Sequence, residues 1–178
     1  MKKFELPSGL PVTQKILKSL VPKLYDPLGI CIVTQLLGRD ILRKSNEDLA
    51  GVPEELIERF LKEVERIVTT PFPRRVPITK TLICCCDASA SAFAVLVFNE
   101  EGQLIQGRGS LGSRPPQTIP REELNAMVLG AETAANVLSD LRIVFPQPVV
   151  ERILILLDSL INIQRLRRFR RLPSLGSY

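Results

Sequence analysis

The pattern of apolar and polar positions divides the chain into a helical first part and a second part in which strands and helices alternate. In the first part, apolar residues recur at helical spacing in three segments, 14–20, 24–42 and 54–68, and in the second of them Asp26-Pro27 and Gly29 mark a turn into the helix. Three prolines in the stretch 69–79 cannot continue a helix, so we place the boundary near residue 75. The predicted domains are a helical connection-like segment, 1–75, and an α/β domain, 76–178.

The second part has the pattern of a sheet with flanking helices. Residues 81–98 predict a strand, a tight reversal and a second strand, and residues 104–111 predict a third strand. A helix is predicted from Thr118, which we expect to cap it. Residues 152–157 are apolar on both faces, which is typical of a central parallel strand, and residues 160–169 return to helical spacing. Small residues along the first of these helices indicate close packing against the sheet; they are Ala126, Gly130, Ala131, Ala134 and Ala135.

Acidic residues stand at three related points of the second part. Asp87 and Asp158 end two apolar runs, and Glu123 lies in the first turns of the helix between them. The functional crevice of an open α/β sheet lies at the carboxyl ends of its strands, where these acids could converge. Carboxylate ligands favour Mg²⁺ or Mn²⁺, and two such ions can activate water in phosphodiester hydrolysis. Alternatively, Asp87 ends a buried strand as a turn residue whose charge is balanced by local backbone donors.

The amino-acid composition excludes several kinds of catalytic and metal-binding site. The chain of 178 residues contains no His, which excludes Ser-His-Asp and Cys-His catalysis and mixed Cys-His zinc sites within it. Three of the four cysteines are consecutive, Cys84–Cys86, which is poor spacing for a metal site or a disulfide framework. Apolar runs are too short to span a bilayer and the first residues lack a signal-peptide core. We therefore expect an intracellular, cytoplasmic protein with no membrane partner.

Positive charge is concentrated near the end of the sequence. The net charge is +5, and five arginines fall within seven residues: Arg165, Arg167, Arg168, Arg170 and Arg171. Such a cluster is typical of a surface that binds a polyphosphate such as nucleic acid, although it could equally be a solvated tail.

Five short blocks of the sequence form an ordered set of motifs. They are Tyr25-Asp26-Pro27-Leu28-Gly29, Cys86-Asp87-Ala88-Ser89 with Ala92-Phe93, Ser113-Arg114, Thr118-Ile119-Pro120-Arg121-Glu122-Glu123-Leu124, and Leu157-Asp158-Ser159. Over residues 20–165, they resemble the polyproteins of Pao/BEL-type LTR retrotransposons, from the end of the reverse transcriptase into the ribonuclease H-like domain. Some classifications call this region the Pao retrotransposon peptidase. The resemblance implies an α/β fold with a ribonuclease H-like mixed sheet and flanking helices. It also implies cleavage of RNA in RNA–DNA hybrids, and the remainder of a retrotransposon polyprotein as a partner.

The resemblance implies roles for the acids as well. Asp87 is the implied first-strand metal ligand, Glu123 the helix ligand, and Asp158 the ligand at the end of the fourth strand; together they are the implied catalytic residues. The family's Glu directly precedes a Leu, which selects Glu123. Glu122 is the competing choice, and only one of the two is expected to face the metals, because neighbouring side chains point about 100° apart around a helix. Both glutamates also interact favourably with the helix N-terminus.

Two serines stand beside the acids. Ser89 and Ser159 are expected either to contact the ligands or the substrate through their hydroxyls, or to form the turns that follow the strands.

The sequence departs from the family pattern after Asp158. No acid follows that residue, whereas ribonuclease H-like enzymes place a fourth acid on a later helix. We therefore expect a C-terminally incomplete domain whose catalysis is weak or absent in this chain alone. The alternative is a non-catalytic remnant that binds nucleic acid or other parts of the polyprotein. An aspartic peptidase is disfavoured, because it needs Asp-Thr/Ser-Gly loops and the sequence has no such triplet.

Overall fold

The computed structural model describes four stretches of the chain: residues 14–24, 26–47, 52–73 and 75–169. The chain separates into two compact units, Met1–Val76 and Pro77–Tyr178. Within the described stretches, no helix is long and apolar enough to cross a membrane.

The described residues of the first unit form α-helices around an apolar core. The helices are α1 Gln14–Leu20, α2 Ile32–Glu47 and α3 Glu54–Thr69, and a 3-10 turn at Val21–Lys23 follows α1. Helices α1 and α3 confirm the first and third predicted segments. Residues of all three helices contribute to the core, which contains Leu17, Leu20, Val21, Ile41, Val52, Phe60 and Val64.

A capped turn precedes α2, at the position where Asp26-Pro27 and Gly29 predict one. Asp26 accepts hydrogen bonds from the backbone N–H groups of Ile30, at 2.8 Å, and Cys31, at 2.6 Å. Gly29 adopts a positive φ of 71°, a conformation that glycine tolerates because it has no Cβ. This turn confirms the one predicted at the start of the segment 24–42, and α2 ends later than predicted, at Glu47.

The second unit is a mixed α/β structure, as the sequence predicts. Its elements are β1 Thr81–Ala88, β2 Ala92–Phe98, β3 Leu104–Leu111, α4 Ile119–Val144, β4 Arg152–Leu156 and α5 Leu160–Phe169. The strand order is β3-β2-β1-β4. Strand β2 pairs antiparallel with both β1 and β3, whereas β4 pairs parallel with β1. The parallel pairing brings the carboxyl ends of β1 and β4 to the same edge of the sheet.

The prediction of a central position for β4 was wrong. Among the described strands, β4 pairs only with β1 and lies at the edge of the sheet. The side chains of Leu154, Ile155 and Leu156 are 41%, 40% and 51% exposed. Apolar residues on both faces indicated a strand with neighbours on both sides, but residue type alone does not determine how many strands pair with it.

Helix α4 packs closely on one face of the sheet through small residues. Ala126, Gly130 and Ala134 are buried, and a Cβ atom at Gly130 would overlap the Sγ of Cys86 on β1. Two of the small residues assigned to this contact, Ala131 and Ala135, are instead exposed. The prediction was wrong for them because α4 presents only a narrow side to the sheet.

Candidate active site

Two of the predicted acids stand at the ends of adjacent parallel strands. Cys85 of β1 pairs with Leu156 at the end of β4. Asp87 and Asp158 each lie two positions beyond those paired residues, so both acids follow the last pair at the same edge of the sheet. This is the arrangement that strand polarity predicts.

Asp87 is exposed, which corrects the expectation that it ends a buried strand. Burial alternates along β1, where Cys84 and Cys86 are buried beneath α4, and Asp87 comes after the last buried position. Its Oδ1 atom accepts a hydrogen bond from the N–H of Ala88 at 2.8 Å. The carboxylate therefore has a local backbone donor and also remains accessible to a ligand from solvent.

Ser89 forms the turn between β1 and β2. Its N–H donates to the carbonyl of Ala92 at 2.8 Å, and its Oγ accepts from the N–H groups of Ser91, at 3.3 Å, and Ala92, at 3.2 Å. Of the two alternatives for Ser89, these contacts favour the turn-forming one.

Glu122 is the buried member of the two neighbouring glutamates of α4. It is only 1% exposed, its Oε1 accepts from the N–H of Ser113 at 3.0 Å, and its Oε2 accepts from Nδ2 of Asn125 at 3.0 Å. The hydrogen bond from Ser113 is the largest of the contacts that hold the pKa of this carboxyl below its ordinary value. Glu123 is half-buried. Thr118 stands at the N-cap position as predicted, but its side chain makes no capping hydrogen bond.

Asp158 is exposed and directly precedes the buried Ser159. Ser159 caps this helix: its Oγ accepts from the N–H of Asn162 at 3.4 Å, which favours the structural alternative for Ser159. Asn162 is 1% exposed, and its side-chain Nδ2 donates to the carbonyl of Pro120 at 3.0 Å. The first turns of α4 and α5 are therefore joined directly beside Asp158.

A set of hydrogen bonds connects the segments that carry the three acids. The N–H of Gly112 donates to the carbonyl of Ser91 at 2.7 Å, linking the loop after β3 to the turn after Asp87. Ser113 then binds Glu122, and Asn162 binds Pro120. We call these contacts the loop network; its residues are Ser91, Gly112, Ser113, Pro120, Glu122, Ser159 and Asn162. The sequence suggests Glu122 as a competing metal ligand, and Ser159 as either a hydroxyl beside the acids or a turn residue. It gives no signal for Asn162.

The predicted ligands, Asp87, Glu123 and Asp158, are carboxylates, which are suitable ligands for a hard divalent cation. Within the described stretches, no three Cys, Asp or Glu side chains lie close enough together to hold a metal ion. The assignment of Asp87, Glu123 and Asp158 as its ligands therefore stays a prediction. Carboxylate oxygens suit Mg²⁺ or Mn²⁺, and because Mg²⁺ keeps several of its waters, accessible acids such as Asp87 and Asp158 can receive it.

Three arginines of the cluster lie on α5, close in sequence to Asp158. Arg165, Arg167 and Arg168 are exposed, and Nη1 of Arg165 donates to Oδ1 of Asn162 at 3.5 Å. Arg170 and Arg171 lie outside the described residues. The exposed arginines therefore lie on the same helix, α5, that the loop network attaches to α4.

Comparison with known proteins identifies the family of this chain. The family model described as the Pao retrotransposon-like RNaseH-like domain matches residues 13–151. The chain belongs to this family. Its mixed sheet is therefore that of an RNaseH-like α/β fold, and the retrotransposon resemblance of the motifs is confirmed. The match includes Asp87 and Glu123 and ends before Asp158, so the position of Asp158 rests on its register with β1.

Two solved structures are similar to this Pao retrotransposon-like domain. One is a foamy viral protease-reverse transcriptase dRH in complex with double-stranded DNA: it is 12% identical, with a TM-score of 0.39, over 84% of this chain and 29% of that chain. The other is the foamy viral protease-reverse transcriptase in complex with double-stranded DNA, 14% identical, with a TM-score of 0.40, over 94% of this chain and 37% of that chain. The chain thus spans well under half the length of either. No curated protein matches its sequence.

Proposed function

We propose that this Pao retrotransposon-like domain is a metal-dependent ribonuclease H-like module that hydrolyses phosphodiester bonds of RNA in RNA–DNA hybrids. The observation that supports the proposal is the parallel pairing of β1 with β4, because Asp87 and Asp158 each lie two positions beyond its last pair, Cys85 and Leu156. The family match supports the same reaction class.

In this proposal, three residues hold the metal ions. Asp87 and Asp158 supply carboxylates from the sheet edge, and Glu123 supplies one from the second turn of α4. Bound Mg²⁺ or Mn²⁺ would activate a water and stabilise the leaving oxygen of the phosphodiester. The exposure of Asp87 and Asp158 supports access by a substrate phosphate.

The arginines are the proposed substrate-binding surface. Arg165, Arg167 and Arg168 are exposed on α5, whose first turn follows Asp158 directly. Guanidinium groups bind phosphates through paired N–H donors, so a nucleic-acid backbone lying along α5 would approach the acids. Arg170 and Arg171 extend this proposed surface in sequence. We further propose that the module works in the cytoplasm, together with the remainder of a retrotransposon polyprotein.

A non-catalytic role in binding nucleic acid or the polyprotein is the second candidate. It is favoured by one observation: within the described stretches, the acids do not form a preassembled group of three metal ligands. In that case the arginines bind nucleic acid without turnover.

A metal titration tests the enzyme proposal against the alternative. Mn²⁺ and Mg²⁺ binding to the parent would be measured by calorimetry, beside Asp87→Asn, Asp158→Asn and, as a control on an exposed acid of α4, Asp140→Asn. We expect saturable binding that is lost in the first two variants and kept in the control. RNA–DNA hybrid cleavage on the same samples then separates the enzyme from the binding module. Equal metal binding by all four proteins would contradict a shared carboxylate site.

A further inference from the structure

We propose that Glu122 is a positioning residue that holds the loop after β3 and the start of α4 in place beside the predicted metal ligands. The inference rests on the proposed function, because it concerns the site where that function places the metal ions. It separates two neighbouring glutamates by role: Glu122 binds protein N–H groups, and Glu123 is the one available to a metal.

The contacts of Glu122 are those of a structural carboxylate. The residue is 1% exposed, and each of its carboxylate oxygens accepts a hydrogen bond at 3.0 Å, one from Ser113 and one from Asn125. A buried carboxylate is costly unless such donors replace its water, and charge-assisted bonds of this kind are strong. Binding a hydrated metal ion would require this carboxylate to give up both donors and its burial.

The loop that Glu122 holds is also attached, one residue earlier, to the turn after Asp87. Ser113 is bound by Glu122, and its neighbour Gly112 donates to the carbonyl of Ser91 at 2.7 Å. Two hydrogen bonds and the covalent link between Gly112 and Ser113 therefore run from α4 through the loop to the turn that follows Asp87. A displacement of the loop at Ser113 would be transmitted to that turn.

The same attachment fixes the rotation of the first turns of α4. Glu122 is buried on the side of α4 that also carries Ala126 and Gly130, which are buried against the sheet. Successive residues are rotated by about 100°, so the direction of Glu123 is set once Glu122 is held. Glu123 is half-buried rather than enclosed. Residues that orient metal ligands in this way typically change metal affinity when they are replaced, although they touch no metal.

The experiment uses the full chain and two readouts. Variants Glu122→Ala and Glu122→Gln would be compared with Glu132→Ala, which removes an exposed carboxylate from the middle of α4. The first readout is the set of backbone amide NMR shifts, and the second is Mn²⁺ affinity by calorimetry. Glutamine keeps one carbonyl oxygen for the N–H of Ser113, whereas alanine leaves that donor without an acceptor.

We expect Glu122→Ala to shift the amide of Ser113 and, through the loop network, those of Ser91 and its neighbours in the turn. Mn²⁺ affinity should fall roughly tenfold or more in Glu122→Ala, less in Glu122→Gln, and not at all in Glu132→Ala. A metal-ligand role is a different outcome: Glu122→Gln would then abolish Mn²⁺ binding as completely as Asp87→Asn, which overturns the proposal. It is equally overturned if Glu122→Ala lowers the Tm but leaves the Mn²⁺ affinity of the folded protein unchanged.

The two readouts also separate this inference from the proposed function. If the parent binds no Mn²⁺, the metal-dependent function fails, and the amide shifts alone decide the positioning role. Shifts that reach Ser91 and the residues around Asp87 support it. Shifts confined to Ser113 and the first turns of α4 overturn it.

Discussion

Asn162 donates a hydrogen bond from its buried side-chain amide to the main-chain carbonyl of Pro120, at 3.0 Å. This contact joins the first turn of α5 to the first turn of α4, so the helix that follows Asp158 is attached to the helix that carries Glu123. The carbonyls and N–H groups of a first helical turn are arranged rigidly, and one side-chain amide is enough to fix the distance between the two turns. Asn162 therefore contributes to how closely the predicted ligands can approach.

Replacing Asn162 with alanine should destabilise the second unit. The change removes the donor to Pro120 and leaves a cavity at a site that is 1% exposed, so we expect a loss of about 1–3 kcal/mol in the free energy of unfolding. Urea denaturation followed by circular dichroism measures it. Gln164→Ala, at an exposed position of the same helix, is the control and should change stability by less than about 0.5 kcal/mol. Equal stability of the two variants would show that the contact with Pro120 contributes nothing.

Gly130→Ala should destabilise the protein although alanine is the better helix former. A Cβ atom at this position would overlap Sγ of Cys86 and lie 3.2 Å from Sγ of Cys84. The higher helix propensity of alanine contributes about 1 kcal/mol, whereas overpacking of a tight core costs about 1–3 kcal/mol. Thermal unfolding of Gly130→Ala, Cys86→Ala and the double variant tests this cause, because removing the thiol should relieve the overlap. Additive effects in the double variant would contradict the steric explanation.

Alkaline pH should weaken the first unit through Cys31. Burial is the largest cause that raises the pKa of this thiol to about 12, and its hydrogen bond to Asp26, at 3.0 Å, is the next. The folded state therefore holds the thiol proton more tightly than the unfolded state. The stabilisation is complete below the ordinary thiol pKa and is lost as the pH rises toward the folded value.

Urea denaturation at a series of pH values up to about 11 measures this loss, within the window set by the two pKa values. The parent should lose stability more steeply than Cys31→Ala above pH 9.0, the ordinary thiol pKa. Parallel curves for the two proteins would place the alkaline transition elsewhere in the chain.

The exposed arginines of α5 should determine how nucleic-acid binding depends on salt. Each phosphate contact contributes a slope of about 0.9 to the dependence of log affinity on log salt concentration. We therefore expect the Arg167→Gln/Arg168→Gln variant to bind an RNA–DNA hybrid more weakly and to reduce the slope by about 2. The control replaces Arg59 and Arg142, two exposed arginines outside α5, and removes the same net charge. An equal fall in both proteins would indicate a non-specific charge effect.

Periodicity alone predicted much of the second unit. Residues 104–111 and 160–169 have the bounds of β3 and α5, because their patterns end at polar or loop-forming residues. Periodicity failed where the position of an element depends on which other elements pair with it. The edge position of β4 depends on which strands pair with it, whereas the turn before α2, where Asp26 accepts two backbone N–H groups, was predicted from residue type.

For the candidate site, the sequence predicted which strands and helices carry the acids but not the contacts of their side chains. Strand polarity placed Asp87 and Asp158 at one edge, because it follows from topology. The difference between Glu122 and Glu123 was not predictable, since it depends on a loop N–H group nine residues earlier in the chain. The sequence also did not predict the hydrogen bond of Asn162, because its partner Pro120 lies 42 residues away.

The parallel pairing of β1 with β4 also determines when the site can form during folding. Ala88 pairs with Phe93 across a short turn, whereas Cys85 pairs with Leu156 across about seventy residues. Closing the longer loop costs more chain entropy, and such non-local pairings form slowly. During synthesis, β1 to β3 and α4 leave the ribosome before β4 does. A site shared by Asp87 and Asp158 can therefore form only after β4 has paired with β1.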